Sequence, residues 1–249
     1  MVPLRTEGVE KEYIYRTIPL AGQLLYGIFT PNYASMKTAL LLGATGLVGS
    51  HLLRQLLDDP RYETVVALTR RPLDVEHPNL RQEIIDFDQP DPARIRGDDL
   101  FCALGTTLRK AGSKEAQYRI DCTYPYEIGK IGRQNGVQQY LLVSSVGADA
   151  GSSNFYLRTK GELEEKLKAL DFPAFVSARP SFLLGQRSEF RLGEKIGIAL
   201  AVALAPLIPK KYRGIQAAQV AAALIALANQ GLRGAHLVES DQLQNQRPA

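Results

Sequence analysis

The sequence predicts an α/β fold, doubly wound, with one parallel sheet in a single domain. From residue 37 onward, short runs that are apolar nearly throughout alternate with segments of helical period. Strands covered on both faces read that way, because neither face meets water. A glycine-rich stretch, Gly43-Ala-Thr-Gly46-Leu-Val-Gly49, falls directly between the first strand and the first helix. Right-handed crossovers between such units give an open sheet with helices on both sides.

Taken in order, Thr38–Leu42 is the first strand and Leu47–Leu57 the first helix. Thr64–Thr69, apolar and β-branched, is the second strand, and Gln82–Asp86 a shorter third. Asp99–Leu104 is the fourth. Lys114–Asn135 reads as helix interrupted near Pro125, since proline lacks the N–H that a helix interior needs. Gln139–Val143 is a strand, and Phe155–Leu170 a helix supported by Glu162–Lys166 and Glu164–Lys168 at i,i+4 spacing. Ala174–Ala178 is a strand, Gln216–Asn229 a strongly apolar helix and Ala235–Val238 the last strand. Residues 180–215 are expected as an irregular, substrate-side segment over the carboxyl edge of the sheet, where ligands bind in such folds.

The chain has 249 residues, enough for a substantial core, and 45% of them are hydrophobic. A formal charge of +4 without any run of Lys and Arg argues against a nucleic-acid partner and leaves a mild preference for anionic small molecules. Cys102 and Cys122 match no disulfide framework or zinc spacing, and His51, His77 and His236 lie far apart, so no metal is expected. Two buried thiols suit a reducing compartment, and a cytoplasmic location is expected.

Residues 1–35 differ from the rest. Met1 to Tyr15 is polar and charged, and Ile18 to Phe29 is an apolar patch broken by Gly22 and Gly27. It is too short to span a bilayer and follows no basic secretory leader. These residues read as an appendage, a helix on the domain or a disordered tail, with 36–249 as the domain proper. The apolar run Ile196–Ile208 is also short and contains Pro206, which makes a core or lid helix the expectation and membrane contact the lesser reading.

Glycines between strand and helix permit a tight turn, clear the Cβ atoms that would block a pyrophosphate and expose helix N–H groups to the anion. The spacing G-x-x-G-x-x-G is neither the usual dinucleotide pattern nor a P-loop. Its position at the start of the sheet favours dinucleotide binding over a structural turn. The second strand runs into Arg70 and Arg71, where NAD-dependent proteins commonly carry an acid for the ribose 2′-hydroxyl. Two guanidiniums suit a 2′-phosphate, which favours NADP(H) over NAD(H).

Ser144 and Ser145 end a central strand, and Tyr156 and Lys160 follow one turn apart on the next helix. A phenol normally titrates near ~10, and a neighbouring ammonium stabilises its anion and brings it into catalytic range. A serine hydroxyl can polarise a carbonyl, while a nicotinamide supplies the hydride.

Together with Gly43–Gly49 and Tyr156–Lys160, five segments carry a family resemblance. They are Phe101-Cys-Ala-Leu-Gly-Thr-Thr, Lys110-Ala-Gly-Ser, Ser144-Ser-Val-Gly-Ala-Asp-Ala, Ser152-Ser-Asn-Phe-Tyr and Ala178-Arg-Pro-Ser. From Thr38 to Leu243 the chain resembles the atypical short-chain dehydrogenase/reductases, in the NmrA-related branch of Tat-interacting, oxidoreductase-like proteins. The resemblance implies a Rossmann fold with a seven-stranded parallel core and NADPH binding. It implies that Gly43, Thr45, Gly46, Leu47 and Val48 contact pyrophosphate and ribose, and that Arg70 and Arg71 take the 2′-phosphate. Asp86 and Phe87 would flank the adenine, and Leu104 and Gly105 would line the middle of the cofactor. Tyr156 would be the general acid, Lys160 would also hold the nicotinamide ribose, and Pro180 would close over the nicotinamide. Strand-end position favours Ser145 as the third catalytic group and spacing favours Ser144. The turn Leu104-Gly105-Thr106-Thr107 lacks the asparagines of shorter members, so a proton relay through such an asparagine would need another donor.

Two functions remain open on this reading. One is an NADPH-dependent carbonyl reductase or alcohol dehydrogenase acting on a small molecule. The other is a redox-sensing protein that reports NADP(H) occupancy to a protein partner or a second copy of itself.

Overall fold

A computed structural model describes residues 18–20, 23–25, 36–185 and 209–246. The chain divides into two compact units, Met1–Met36 and Lys37–Ala249. Within the first, β1 (Ile18–Leu20) and β2 (Gln23–Leu25) form an antiparallel pair, Ile18 opposite Leu25. The described part of the apolar patch is therefore strand, where a helix or a disordered tail was expected. The run Ile196–Ile208 lies outside the described residues.

The second unit is built on a seven-stranded sheet. Its strands are β3 (Lys37–Leu42), β4 (Tyr62–Thr69), β5 (Leu80–Ile84), β6 (Asp99–Cys102), β7 (Gln139–Val143), β8 (Ala174–Arg179) and β11 (Gly234–Glu239). The order across the sheet is β11-β8-β7-β6-β3-β4-β5, and every neighbouring pair is parallel. Chain order reverses between β3 and β6, which opens a crevice at their carboxyl ends. Two short strands, β9 (Leu183–Leu184) and β10 (Ile215–Gln216), pair in parallel outside this sheet.

Alternation along β3 shows why the strands read as continuously apolar. Ala39 and Leu41 face one core, with Leu52, Leu53 and Leu56 of α1 (Leu47–Leu57) and Val220, Ala221 and Leu224 of α6 (Ala217–Ala228). Leu40 and Leu42 face a second core, with Ile128 of α4 (Tyr124–Gln134) and Leu163 and Leu167 of α5 (Phe155–Lys168). Each buried leucine contributes about 2 kcal/mol by leaving water.

Several bounds shift: the fourth strand ends at Cys102 rather than Leu104, and two other differences have a local cause. The edge strand β5 starts two residues earlier than expected, because its ladder with β4 ends where Ile84 meets Thr69. Ile85 then turns into the second core with only 6% of its surface exposed, and Asp86 follows it out of the strand. The helix expected over 114–135 is three pieces: α3 (Lys114–Tyr118), a π turn over Arg119–Thr123, and α4. Pro125 cannot donate to the carbonyl four residues back, and the turn widens to absorb the lost bond. A shorter helix, α2 (Leu108–Ala111), precedes them, and α7 (Ser240–Asn245) follows β11.

The amino edge of the sheet is closed by a polar knot. Asp99, 1% exposed, accepts from the Tyr62 hydroxyl at 2.7 Å, the Lys37 ammonium at 3.0 Å and the Gln139 amide at 2.9 Å. Lys37 also donates to the Ala228 carbonyl and the Asn229 side chain, so the first strand of the sheet and the end of α6 are joined. Burial and the Asp99 charge hold the Tyr62 phenol well above its ordinary range.

Candidate functional site

The glycine loop owes its shape to close backbone approaches. Gly43 has φ of +81°, and a Cβ there would lie 2.6 Å from the Ala103 carbonyl carbon after β6. A Cβ on Gly49 would lie 1.9 Å from the Gly43 carbonyl oxygen. No other residue type fits either place without moving backbone. Gly46 is the N-cap of α1 and brings no side chain to its first N–H groups, and no acid occupies the first turn. The backbone N–H groups of Leu47 and Val48 are thus available for an anion, while the Val48 side chain is buried in the first core. Thr45 is exposed at the tip.

The other expected residues lie along the same carboxyl edge. Arg70 and Arg71, both exposed, leave β4. Asp86 is exposed after β5 and accepts from the Asp88 N–H at 2.9 Å. The Phe87 ring is buried and packs on Tyr124 with ring centres 5.4 Å apart. Leu104 and Gly105 leave β6 beside Gly43, whose absent Cβ would lie 2.7 Å from the Leu104 nitrogen. Pro180 leaves β8, and its carbonyl accepts from the Val146 N–H at 3.0 Å, which fixes the chain just past the serines.

α5 begins at Asn154, whose side chain caps the N–H groups of Tyr156 and Leu157. Tyr156 is 39% exposed, whereas Lys160, one turn on, is 4% exposed. The Lys160 ammonium donates to the Val143 carbonyl at 3.4 Å, directly below the serine pair. Burial alone would push this ammonium down, but the facing Tyr156 and Asp121 groups outweigh it and raise its pKa. The serine loop itself lies on α5 at Gly161, where a Cβ would meet the Ala150 nitrogen at 2.2 Å. Asp149 N–H donates to the Leu157 carbonyl at 3.1 Å across that contact.

The two serines are not equivalent. Ser144 is 4% exposed, and among the described residues its buried hydroxyl has no hydrogen-bond partner. Ser145 is half-buried, with its hydroxyl 3.3 Å from the Val146 carbonyl. Among the described residues, no hydrogen bond joins either serine to Tyr156.

The sequence reading missed Asp121. It sits on the π turn, fully buried, accepting the Thr106 N–H at 2.6 Å and a Gln117 amide hydrogen at 3.3 Å. A Cβ built on Gly105 would be 3.6 Å from an Asp121 oxygen and 3.8 Å from the Lys160 nitrogen, so Gly105 lies between the two charged groups. Burial raises the Asp121 pKa, and Lys160 only partly offsets this. The available signal was an acid between Ile120 and Cys122, one helical turn before a proline.

The doubly wound parallel sheet and the glycine loop at its first helix make the fold one of the NAD(P)-binding Rossmann kind. The chain belongs to the NAD(P)H-binding family, which residues 43–230 match. It is similar to protein HTATIP2 of Rattus norvegicus, 39% identical over 165 residues that cover 64% of this chain and 67% of that one. It is similar also to mitochondrial protein FMP52 of Candida glabrata, 39% identical over 165 residues, 64% of this chain and 69% of that one. Among solved structures, MoeE5 in complex with UDP-glucose and NAD has a TM-score of 0.63 at 18% identity, covering 83% of this chain and 79% of that one. A UDP-glucose 4-epimerase with UDP-glucose from Thermotoga maritima has a TM-score of 0.61 at 14% identity, covering 81% and 76%. At such identities the likeness is one of fold.

The expectation of a cytoplasmic location is corrected by these relatives: the FMP52 proteins are named mitochondrial. A pair of buried thiols marks a reducing environment and carries no address within the cell.

Proposed function

We propose that the protein is an NADP(H)-dependent oxidoreductase acting on a small carbonyl or alcohol substrate. The observation that carries this reading is the pairing of a buried Lys160 with an accessible Tyr156 on one face of α5, at the mouth of a glycine cradle. Gly43, Gly46, Leu47 and Val48 would hold the pyrophosphate through backbone N–H groups, Thr45 would border it, and Arg70 and Arg71 would pair with the 2′-phosphate. Leu104, Gly105 and Pro180 would line the middle and the nicotinamide end, and Asp86 and Phe87 the adenine end. When bound, the cofactor supplies or accepts the hydride.

The chain's own residues do the rest. Tyr156 donates a proton to the forming alkoxide, or withdraws one in the reverse direction. Lys160 stabilises the negative charge this leaves on the phenol oxygen, and its ammonium can anchor the ribose hydroxyls. Of the two serines, Ser145 would polarise the carbonyl, a role supported by its greater exposure beside a Ser144 that is 4% exposed. The mitochondrial naming of the FMP52 relatives supports a mitochondrial location, which cell fractionation would check.

Equilibrium titration of NADPH and NADH against wild type and Arg70→Ala, followed by a carbonyl panel with Tyr156→Phe, tests the proposal. Tighter NADPH binding that the arginine variant equalises, and turnover lost in the tyrosine variant, are expected. Equal turnover in Tyr156→Phe would overturn the assignment, and NADPH binding without turnover would favour the redox-sensing reading.

A further inference from the structure

A lysine buried as completely as Lys160 sheds its proton unless an anion stays beside it. The groups whose charge acts most strongly on it are Tyr156 on its own helix, Asp121 and Cys122 on the π turn, and Cys102 at the end of β6. Tyr156 carries no charge while it holds the proton it is to donate. Burial pushes both thiols up and keeps them neutral. Burial raises Asp121 as well, but from a much lower starting point than the thiols, and it is the carboxyl of the set.

Its place is fixed from three sides. The π turn points it inward, Thr106 N–H donates to one oxygen and Gln117 to the other, and Gly105 covers the gap to Lys160. Gln117 Nε2 lies 3.4 Å from the Thr106 carbonyl, which ties the same loop a second time. A residue needed only to hold the Thr106 amide could be an asparagine. A carboxyl here places its charge across Gly105 from the lysine, close enough to act on it through space but outside ion-pair distance.

Resting on the function proposed above, we propose that Asp121 is a positioning residue, the resident counter-ion that keeps Lys160 an ammonium while Tyr156 is still protonated. Asp121 touches neither substrate nor reacting atoms. It acts through Lys160, and through the Leu104–Thr106 backbone that it holds over the lysine.

The test needs no cofactor. The Lys160 ammonium is followed by lysine NMR in the cofactor-free protein, its signal identified by its loss in Lys160→Met, and the Asp121 carboxyl carbon is followed likewise against Asp121→Asn. In Asp121→Asn, which keeps the acceptor for Thr106, the Lys160 midpoint is expected to fall by about one pH unit or more, a tenfold change in proton affinity. Reciprocally, the Asp121 midpoint is expected to rise by a similar amount in Lys160→Met. Should either variant not fold, the other gives the reading alone. A midpoint that stays within about 0.2 unit in a folded variant overturns the proposal, since a merely structural acid would leave it there. Absent NADPH binding or turnover would sink the proposed function and leave these titrations unaffected, so the two failures are distinguishable.

Discussion

Arg179 grips Glu164 through two parallel hydrogen bonds, Nε to Oε1 at 3.0 Å and Nη2 to Oε2 at 2.5 Å. Ser177 adds a third to Oε1 at 2.7 Å. Glu164 lies one turn beyond Lys160 on α5, and Arg179 directly precedes Pro180. The pair therefore ties α5, which carries Tyr156 and Lys160, to the strand end that leads into Pro180. Removing one member leaves the other charged and poorly hydrated. Glu164→Gln and Arg179→Met should each destabilise by about 3 kcal/mol in urea unfolding, with the double variant costing less than their sum. Costs under about 0.5 kcal/mol for both would mark the pair as a surface contact of little consequence.

Gly49→Ala should be among the most damaging single methyl additions, because its Cβ would fall on the Gly43 carbonyl rather than on a movable side chain. A loss of at least about 2 kcal/mol is expected, with NADPH binding weakened more than about tenfold. Gly112→Ala is the control. It has open space around it but φ of +86°, and should cost about 1 kcal/mol while leaving cofactor binding alone. Equal NADPH affinity in wild type and Gly49→Ala would break the link between the loop and the cofactor.

The serines can be separated kinetically. Ser145→Ala should lower kcat about a hundredfold or more with a smaller effect on KM, as loss of an oxyanion donor does. Ser144→Ala removes a buried hydroxyl without a partner and should leave kcat within about tenfold of wild type. The opposite ranking would transfer the role to Ser144.

Acid stability should report on Asp59. Burial raises its pKa, but two hydrogen bonds from the Arg61 guanidinium, at 2.8 and 2.6 Å, outweigh this and hold it below the ordinary 3.8. A carboxyl whose folded pKa is depressed stabilises the protein above the unfolded value and loses that contribution as pH falls through the folded one. The melting temperature of Asp59→Asn should therefore lie below wild type at neutral pH, and the gap should close as pH drops below about 3.8. A gap that is constant down to pH ~2.5 would assign the loss to something other than ionisation.

Much of this architecture was legible in the sequence, and the exceptions have physical causes. The bounds of α1 and β7 are as expected, because an unbroken apolar run or helical period leaves little choice. Edge strand β5 carries Arg, Gln and Glu, so its pattern was weak and the adjacent Ile84-Ile85 pulled the reading two residues on. Gly49 was readable from local spacing, since its constraint lies at Gly43 six residues back, whereas the approach of Gly43 to Ala103 is not written in the residues around it. Asp121 was not readable either. Its meaning comes from Thr106, fifteen positions earlier, and from a lysine on another helix, and neither partner leaves a mark in the sequence around it.

The knot around Asp99 also sets where a trimmed version of this protein could begin. Lys37 supplies one of its donors and reaches across to the closing turn of α6, so the first residue of the sheet is itself a fastening. Shortening the polypeptide up to Met36 would spare that clasp. Going one residue further would leave an acid sealed in the interior without its cation.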